Sequence, residues 1–541
     1  MKNIYFSSHI DNCYEDSEIF IEIDKKCDNK KYIQKIKESY KKNGVDFIKK
    51  LRNTYEMHIY DKKNDILILI ADLVGLKSTY YYLSDNSIYI SDDIMELVKK
   101  YNIKKEINEN VLPIYFKYHY ISSPETIFKN IYKLKHGTYL VFQNGKAEIK
   151  TYWNFIEEYN NNKKNVIKSF VECKQELNKK INNYVKNIIK NKDNIGIYLS
   201  GGIDSSLVTA LSMKYSKNPV NTFSIGFCEE EYNEANKAKK VANQLGTNHH
   251  ELYINKKKAL ETVKKIPLYY SQPFADGSAL PTIILNEFAK ENNIKNVLTG
   301  DGADQLFCGS NIYDTIYKVH KLRKIINPFN IYLNPKIYKK KRKLFYIYSN
   351  SDKQFQEQVN VIYSEYLLQG LFEDSNSKKL KSELKIQSND WQEKYMLLDF
   401  ETYCCERVLT KMSVAAKRNN ILIYSPFLDR DIIEYSLKIP HKFKYYKKIK
   451  KYILKEILYD YVPKELFSYK KKGFGIPYKQ WLNTYFIDDL KRLSTKDFID
   501  KQHLFNYNKV CNLIDNINNS DYTQIIWDYY IFQIWYEMNI L

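Results

Sequence analysis

Residues 200–206 of the chain, Ser-Gly-Gly-Ile-Asp-Ser-Ser, have the composition of a loop that holds a phosphate chain. Glycines let the backbone come close to an oxyanion, amides at the start of a helix point toward it, and hydroxyls add hydrogen-bond donors. The loop follows a strand pattern at 195–199 and precedes a helical pattern from about Ser205. The Walker and dinucleotide-binding glycine patterns are both absent from this loop, so its spacing favours a pyrophosphate-binding loop of another kind.

The segments around this loop alternate between strand and helix patterns. Strand patterns at 195–199, 222–227 and 296–299 are separated by helical patterns, including one at 237–245. Such alternation predicts a parallel sheet covered by helices, which binds ligands at the carboxyl ends of its strands. Apolar residues at helical spacing also predict an amphipathic helix from Phe170 to Ile188. The chain after about residue 310 has mostly helical patterns.

The first 150 residues show a different pattern, in which short strand-like runs alternate with turns. This pattern predicts a mostly antiparallel, sheet-rich domain, with strands at 18–23, 55–60, 66–71, 79–83, 87–91 and 137–142. An Asn- and Lys-rich stretch at 160–165 lacks periodicity and predicts a linker. We therefore expect two domains, at 1–155 and 165–541.

The composition narrows the class of protein. Hydrophobic residues make up 44% and charged residues 28% of the chain, a balance that excludes a disordered protein. No signal-type apolar region and no run of roughly 18 uncharged apolar residues is found, so we expect a cytoplasmic protein without a membrane partner. The eight cysteines lack metal-ligand spacing and are interpreted as reduced structural thiols. The net charge of +21 accompanies a general enrichment in Lys, Asn, Ile and Tyr, so we do not expect a nucleic-acid partner.

Several blocks occur in an order that resembles the synthetase domain of the asparagine synthetase family, which includes enzymes that make β-lactams or peptide macrolactams. The blocks are 222–227 (TFSIGF), 246–253 (GTNHHELY), 273–276 (PFAD), 298–309 (LTGDGADQLFCG), 426–429 (PFLD), 451–455 (KYILK) and 472–477 (KGFGIP). The loop at 200–206 is similar to the SGGxDS loop of ATP pyrophosphatases, which cleave ATP between the α and β phosphates. Residues 55–82 are similar to the later part of the family's amidotransferase domain.

This resemblance implies an α/β fold with two parts. The first would be a degenerate class II glutamine amidotransferase-like domain with Ntn-hydrolase-like αββα layers. The second would be an ATP-pyrophosphatase domain of the adenine nucleotide α-hydrolase type, with a parallel sheet and a helical extension. The cofactors would be ATP and Mg²⁺. The nucleotide-binding residues would be Leu199, Ser200, Gly201, Gly202, Asp204, Ser205, Ser206, Ile225, Thr299 and Gly300.

The resemblance also implies roles for individual side chains. Asp204 and Asp304 would hold Mg²⁺, because carboxylate oxygens suit this hard cation. Asp301 would serve the adenylate or act as a base toward the acceptor. Lys451 would stabilise the negative charge of the tetrahedral intermediate. Asp276 and Lys472 are secondary candidates.

The chain departs from the family pattern on both the glutamine and the acceptor side. Family members that hydrolyse glutamine begin with a cysteine after removal of Met, whereas residue 2 here is Lys, and no arginine is found at 71–75. We therefore expect no glutaminase activity. On the acceptor side, uncharged residues stand where charged pairs are common, and two residues near the phosphate site are altered. The uncharged replacements are Ser413, Val414, Leu422 and Tyr424, and the two altered residues near the phosphate site are Gln305 and Cys308.

The leading interpretation is a ligase that adenylates a carboxylate, releases pyrophosphate, and passes the acyl group to an amine, such as a lasso-type macrolactam cyclase of natural-product biosynthesis. Its substrates would be a small molecule or peptide carrying a carboxylate, and an amine or ammonia. A precursor peptide or a processing protein would be a further partner. Two alternatives stay open: an ammonia-dependent asparagine synthetase, and a non-catalytic scaffold that retains the fold.

Overall fold

A computed structural model describes residues 4–6, 12–23, 30–51, 56–326, 356–357, 359–361, 368–372, 384–467 and 475–541. The candidate residue Lys472 lies outside these ranges. Among the helices in them, none is long and apolar enough to cross a membrane.

Two sheets face each other in the N-terminal domain. The larger has the order β10-β9-β5-β4-β3-β2, and the smaller has the order β1-β7-β6-β8. Neighbouring strands are antiparallel, except that β1 runs parallel to β7. The strands are β1 (Ile4–Phe6), β2 (Asn12–Glu15), β3 (Ile19–Ile23), β4 (Met57–Asp61), β5 (Ile66–Ile70), β6 (Tyr80–Ser84), β7 (Ser87–Ser91), β8 (Ile131–Lys133), β9 (Thr138–Gln143) and β10 (Lys146–Thr151).

Alternating side chains along β5 explain the layers of this domain. Leu67 and Leu69 point into the core between the two sheets, whereas Ile68 and Ile70 pack on the other side, in the cluster that contains the helix Lys30–Asn43. The helix Ile94–Lys100 packs on β7 of the smaller sheet. The resulting order of layers is helix, sheet, sheet, helix, which confirms the predicted αββα domain.

The predicted linker at 160–165 is instead the end of a helix. Phe155–Asn162 is helical and continues into the 3₁₀ turn Lys163–Asn165. The helix begins where the side chain of Asn154 accepts a hydrogen bond from the Glu157 amide at 3.0 Å. The linker prediction was wrong because the apolar residues that anchor this helix precede the Asn-rich stretch.

The second domain contains the predicted parallel sheet, in the order β13-β12-β11-β14-β15. Its strands are β11 (Ile195–Tyr198), β12 (Asn221–Phe227), β13 (Asn248–Ile254), β14 (Asn296–Leu298) and β15 (Leu422–Tyr424). The chain moves outward from β11 to β13 on one side and then returns to place β14 on the other side of β11. The strand order therefore reverses between β11 and β14, which is where open parallel sheets bind ligands.

Helices cover this sheet and extend beyond it. They are Phe170–Asn191, Ile203–Tyr215, Ala235–Leu245, Lys256–Val263, Ile266–Tyr269, Ala279–Glu291, Ala303–Leu306, Asn311–Ile326, Trp391–Asp399, Leu409–Arg418, Arg430–Lys438, His441–Lys444, Tyr452–Leu458, Tyr478–Thr484, Ile487–Arg492, Lys496–Asp500, Tyr507–Asp515 and Ser520–Asn539. Phe400–Val408 is a π-helix between two α-helices. A short hairpin, β16 (Tyr445–Tyr446) and β17 (Ile449–Lys450), precedes Tyr452–Leu458. The amphipathic helix predicted from Phe170 is confirmed and extends to Asn191.

Candidate active site

The loops that follow β11 and β14 touch each other at the point where the strand order reverses. A Cβ atom added to Gly300 would lie 2.7 Å from the Cβ of Asp204 and 3.0 Å from the Ser205 amide nitrogen. Position 300 therefore requires glycine, because any side chain there would push the two loops apart. The fold brings the loop at 200–206 and residues 299–304 into one site.

The loop at 200–206 is shaped by its own hydroxyl groups. Ser200 Oγ lies 3.1 Å from Ser205 Oγ, and the Gly202 amide donates to Ser200 Oγ at 3.3 Å. Gly201 has φ +72°, and a Cβ there would lie 2.8 Å from the Ala238 amide nitrogen. The helix Ile203–Tyr215 starts immediately after the loop, so its unpaired first amides and the positive end of its dipole meet there.

The remaining predicted nucleotide residues lie at the same edge of the sheet. Leu199 and Thr299 directly follow β11 and β14 and are buried. Their amides bond to the neighbouring strands, with Leu199 donating to Phe223 O at 3.0 Å and Thr299 to Tyr424 O at 2.9 Å. Ile225 lies on β12 two residues past Phe223, the partner of the last residue of β11.

Lys451 connects the two predicted metal ligands. Its Nζ lies 2.5 Å from Asp304 Oδ1 and also contacts Asp204 Oδ2. The side chain is buried, and the residue has φ +52°, a left-handed conformation that costs energy for a lysine. A Cβ added to Gly309 would lie 1.9 Å from both Asp304 Oδ1 and Lys451 Cε, so this contact requires glycine at position 309.

Asp301 follows β14 between Gly300 and Gly302. Its Oδ2 atom is buried and has no hydrogen-bond partner within the part of the chain that the structure describes. Burial raises the pKa of this carboxyl above its ordinary value, and the charges of Asp304 and Asp204 add to the rise. A partly buried carboxyl with a raised pKa can accept a proton from a bound substrate.

A second buried ion-pair cluster was not predicted. Arg407 Nε donates to Asp276 Oδ2 at 2.9 Å, and Lys411 Nζ lies 3.7 Å from the same oxygen. Burial opposes ionisation of Asp276, but the charges of Arg407 and Lys411 outweigh it and hold the pKa well below its usual range. Lys411 also lowers the pKa of Asp301, which connects this cluster to the residues that follow β14. Asp276 was a secondary candidate, whereas the sequence carried no signal that paired it with the two cations.

The residues at the reversal point suit a magnesium nucleotide. Ser206 Oγ is buried and, among the described residues, has no hydrogen-bond partner. Two carboxylates from the first turns of separate helices, Asp204 and Asp304, meet at Lys451. No group of three or more His, Cys, Asp or Glu side chains within the described ranges could hold a metal ion. Mg²⁺ fits such a site because it is bound by one or two carboxylates together with substrate phosphates and water.

Fold and site together define a class: a synthetase domain of the ATP-pyrophosphatase type joined to an Ntn-hydrolase-like domain. A family model described as Asparagine synthase matches residues 176–537, and one described as Glutamine amidotransferase domain matches residues 4–153. The chain belongs to the asparagine synthase family. It is an ATP-dependent ligase of the asparagine synthetase type.

Three relatives illustrate this membership. Asparagine synthetase (glutamine-hydrolyzing) 1 of Bacillus subtilis is 24% identical over 93% of this chain and 80% of its own length. Putative asparagine synthetase (glutamine-hydrolyzing) 2 of Methanocaldococcus jannaschii is 32% identical over 53% of this chain and 55% of its own length. Amidase chyE of Penicillium rubens is 24% identical over 87% of this chain and 76% of its own length.

Proposed function

We propose that the chain adenylates a carboxylate with ATP, releases pyrophosphate, and transfers the acyl group to an amine with release of AMP. The observation that carries this proposal is the meeting of Lys451 with Asp204 and Asp304 beside the loop at 200–206. An anion-binding loop, two carboxylates and a buried ammonium group in one place are what activation of a carboxylate by a nucleotide requires.

In the first step, a carboxylate oxygen bonds to the α-phosphorus while the bond from this phosphorus to the bridging oxygen of the pyrophosphate breaks. The loop at 200–206 and the start of the helix Ile203–Tyr215 would hold the pyrophosphate that leaves. Magnesium bound by Asp204 and Asp304 would supply neutralising charge to the β and γ phosphates.

In the second step, the amine nitrogen bonds to the carbonyl carbon, and the bond from that carbon to the AMP oxygen breaks. Lys451 would stabilise the tetrahedral oxyanion between these events. Asp301 would accept the proton that the amine loses, because its raised pKa lies closer to neutral pH than that of an exposed carboxyl.

We also propose that the N-terminal domain does not hydrolyse glutamine. Cys13 is the cysteine of this domain that the structure describes, and it pairs with Glu22 across strands β2 and β3. Burial and the charges of Glu22 and Glu15 raise the pKa of its thiol, which is the opposite of nucleophile activation. The expected result is no glutamate release from glutamine under conditions that support amide formation with an added amine. Stoichiometric glutamate release would contradict it.

The acceptor, in our proposal, is an organic amine, as in macrolactam formation. Support comes from two tyrosines beside the Asp276–Arg407 ion pair. The Tyr403 ring centre lies 5.0 Å from the Arg407 guanidinium carbon, and Tyr478 OH accepts from the Gly277 amide at 3.1 Å. Aromatic side chains beside this ion pair suit a substrate larger than a small zwitterion.

Exchange of labelled pyrophosphate into ATP tests the adenylation step. We expect exchange that depends on an added carboxylic acid and on Mg²⁺. The panel would contain L-aspartate, longer amino acids and linear peptides with a side-chain carboxylate. Acid-dependent exchange in the presence of a peptide but not L-aspartate supports macrolactam formation. The absence of exchange with every acid, together with the absence of ATP binding, would leave the scaffold alternative as the explanation.

The second candidate function is an ammonia-dependent asparagine synthetase. Arg407 and Lys411 favour it, because two buried cations beside Asp276 suit an α-carboxylate. Incubation with L-aspartate, ammonia and ATP separates the two candidates. Formation of asparagine with equimolar AMP would support the synthetase and reject the macrolactam cyclase.

A further inference from the structure

A buried network of ion pairs joins the N-terminal domain to the π-helix Phe400–Val408. Lys133 Nζ lies 3.2 Å from Glu406 Oε2, and the two ring nitrogens of His136 lie 3.5 Å from Glu401 and 3.6 Å from Glu406. These four side chains are at most 7% exposed. Buried charges that lose a partner are strongly destabilised, so this network holds the π-helix in one position relative to the N-terminal domain.

The backbone of the N-terminal domain also presses against the π-helix. Gly75 has φ +83°, and a Cβ added to it would lie 2.7 Å from the carbonyl oxygen of Cys405. The turn that carries Gly75 is fixed by the Asp72 carboxylate, which accepts from the amides of Gly75 and Leu76 at 2.8 and 2.7 Å. Part of the stretch where an arginine was expected, 71–75, is therefore used for contact between the domains.

Arg407 of the π-helix links the buried network to Asp276. Arg407 follows Glu406 directly, and its guanidinium bonds to Asp276. The N-terminal domain also contacts the residue before Asp276 directly, because the Ala275 amide donates to the carbonyl oxygen of His119 at 2.9 Å. Two contacts therefore connect Asp276 to the N-terminal domain: one through Arg407 and the π-helix, and one through Ala275 and His119. π-Helical turns are rare and occur frequently at functional sites.

We propose that the N-terminal domain positions the substrate side of the active site, with Lys133 and His136 as positioning residues that act through Glu406, Glu401 and Arg407 on Asp276. This inference rests on the proposed function, in which the Asp276–Arg407 ion pair and the tyrosines beside it lie on the substrate side of the site. It gives an amidotransferase-type domain without glutaminase activity a task in the reaction. The loop at 200–206 makes none of the contacts just described, so nucleotide binding does not depend on this network.

Hydrogen exchange of the full chain tests the coupling directly. The Ser278 amide donates to Asp276 Oδ1 at 2.9 Å, so its exchange rate reports the position of this carboxylate. In Lys133→Met we expect exchange of amides 275–278 to rise by about tenfold, with no change at 200–206. Lys133→Arg should restore the slow rate, because it keeps the positive charge opposite Glu406.

Two further variants keep the test decisive. Ser123→Ala removes a single hydrogen bond to Glu406 and should give a smaller increase in the exchange rate of amides 275–278. If Lys133→Met fails to fold, Ser123→Ala replaces it as the test variant. Lys129→Met is the matched control, since Lys129 belongs to the same domain but pairs with the exposed Glu106. Unchanged exchange at 275–278 in Ser123→Ala and in folded Lys133→Met overturns the proposal. A rise that is equal at 200–206, or equal in Lys129→Met, also overturns it.

Pyrophosphate exchange adds a functional readout. Lys133→Met should raise the KM for the acid, measured at saturating ATP, by about tenfold. The KM for ATP, measured at saturating acid, should stay constant. A parallel rise in both constants would overturn the positioning role. If the unmodified chain shows no exchange with any acid, the proposed function fails, and the amide exchange at 275–278 still decides whether the domains are coupled.

Discussion

Lys451 is constrained in both its backbone and its side chain. It adopts a left-handed conformation just before the helix Tyr452–Leu458, and its amide donates to Phe307 O at 3.2 Å. This conformation points a buried ammonium group at Asp204 and Asp304. Strain of this kind is retained where the surrounding structure fixes it, commonly at active sites.

We expect Lys451→Met to lower the rate of amide formation by about 10²–10³-fold, because a fixed cation stabilises the tetrahedral oxyanion. AMP release in a coupled assay measures this rate. Lys450→Met is the matched control, since the neighbouring Lys450 pairs with Asp314 at 3.2 Å. Equal rates for the two variants would rule out the assigned role of Lys451.

Asp301 should make both activity and stability depend on pH. Its folded-state pKa is raised, so the folded protein keeps this proton at pH values where the unfolded chain has already lost it. The folded state is therefore progressively disfavoured as pH rises from the ordinary aspartate value through the raised value. Asp301→Asn removes this pH-dependent loss of folding stability.

The expected outcome is a difference in the free energy of unfolding, Asp301→Asn minus unmodified chain, that increases with pH across this window. Urea unfolding at a series of pH values measures it. In the unmodified chain the rate of amide formation should rise with pH as Asp301 becomes a base, and the variant should lack this limb. A difference that decreases with pH would show that the pKa of Asp301 is lowered instead.

At the scale of elements, the turn between β11 and the helix Ile203–Tyr215 depends on a glycine conformation as well as on the hydroxyl groups of Ser200 and Ser205. Gly201 at φ +72° lies against the Ala238 amide, whereas Gly246 at φ +70° ends the helix Ala235–Leu245 with nothing within 4 Å of an added Cβ. The two glycines therefore share a conformation but differ in the space around them.

Gly201→Ala should abolish binding of Mg-ATP, because its Cβ would force the loop away from Ala238. Gly246→Ala should leave binding intact and lower the free energy of unfolding by about 1 kcal/mol through its left-handed conformation alone. Titration calorimetry with Mg-ATP and urea unfolding measure the two effects. Unaltered ATP affinity in Gly201→Ala would show that the loop does not hold the nucleotide.

At the scale of the whole molecule, the two domains share a hydrophobic core. Leu112, Tyr115 and Phe116 of the N-terminal domain belong to the same buried cluster as Trp527 and Phe532 of the helix Ser520–Asn539. Tyr115 OH also donates to the carbonyl oxygen of Asp528 at 2.8 Å. Separation of the domains would expose large aromatic side chains to water.

We therefore expect one cooperative unfolding transition, observed at the same temperature by near- and far-ultraviolet circular dichroism. Tyr115→Phe removes one buried hydrogen bond, leaves the Asp528 carbonyl without this donor, and should cost about 1–2 kcal/mol while keeping a single transition. Phe128, buried in the same cluster, provides a control: Phe128→Leu should lower stability without splitting the transition. Two separate transitions in the unmodified chain would contradict the shared core.

The sequence by itself determined the strand and helix on either side of the loop at 200–206, and it predicted the class of ligand for that loop. The apolar residues, glycines and hydroxyl groups at 195–206 are local signals, because they determine the conformation of residues close to them in sequence. They predicted β11, the helix that follows it and the class of ligand. The strands β1, β2, β8, β10, β13, β15, β16 and β17 were missed. Of these, β1, β8 and β15 pair with strands distant in sequence, so their own residues give only a weak signal.

Only the tertiary structure decided which side chains meet. Arg407 and Asp276 are 131 positions apart, and Lys133 and Glu406 are 273 positions apart. No local pattern marks such pairs, because their contact depends on how the π-helix lies between the two domains. A buried charge must find its partner through the path of the whole chain. The loop at 200–206 could therefore be predicted from the sequence, whereas the contacts of Asp276 and Glu406 are decided by the fold.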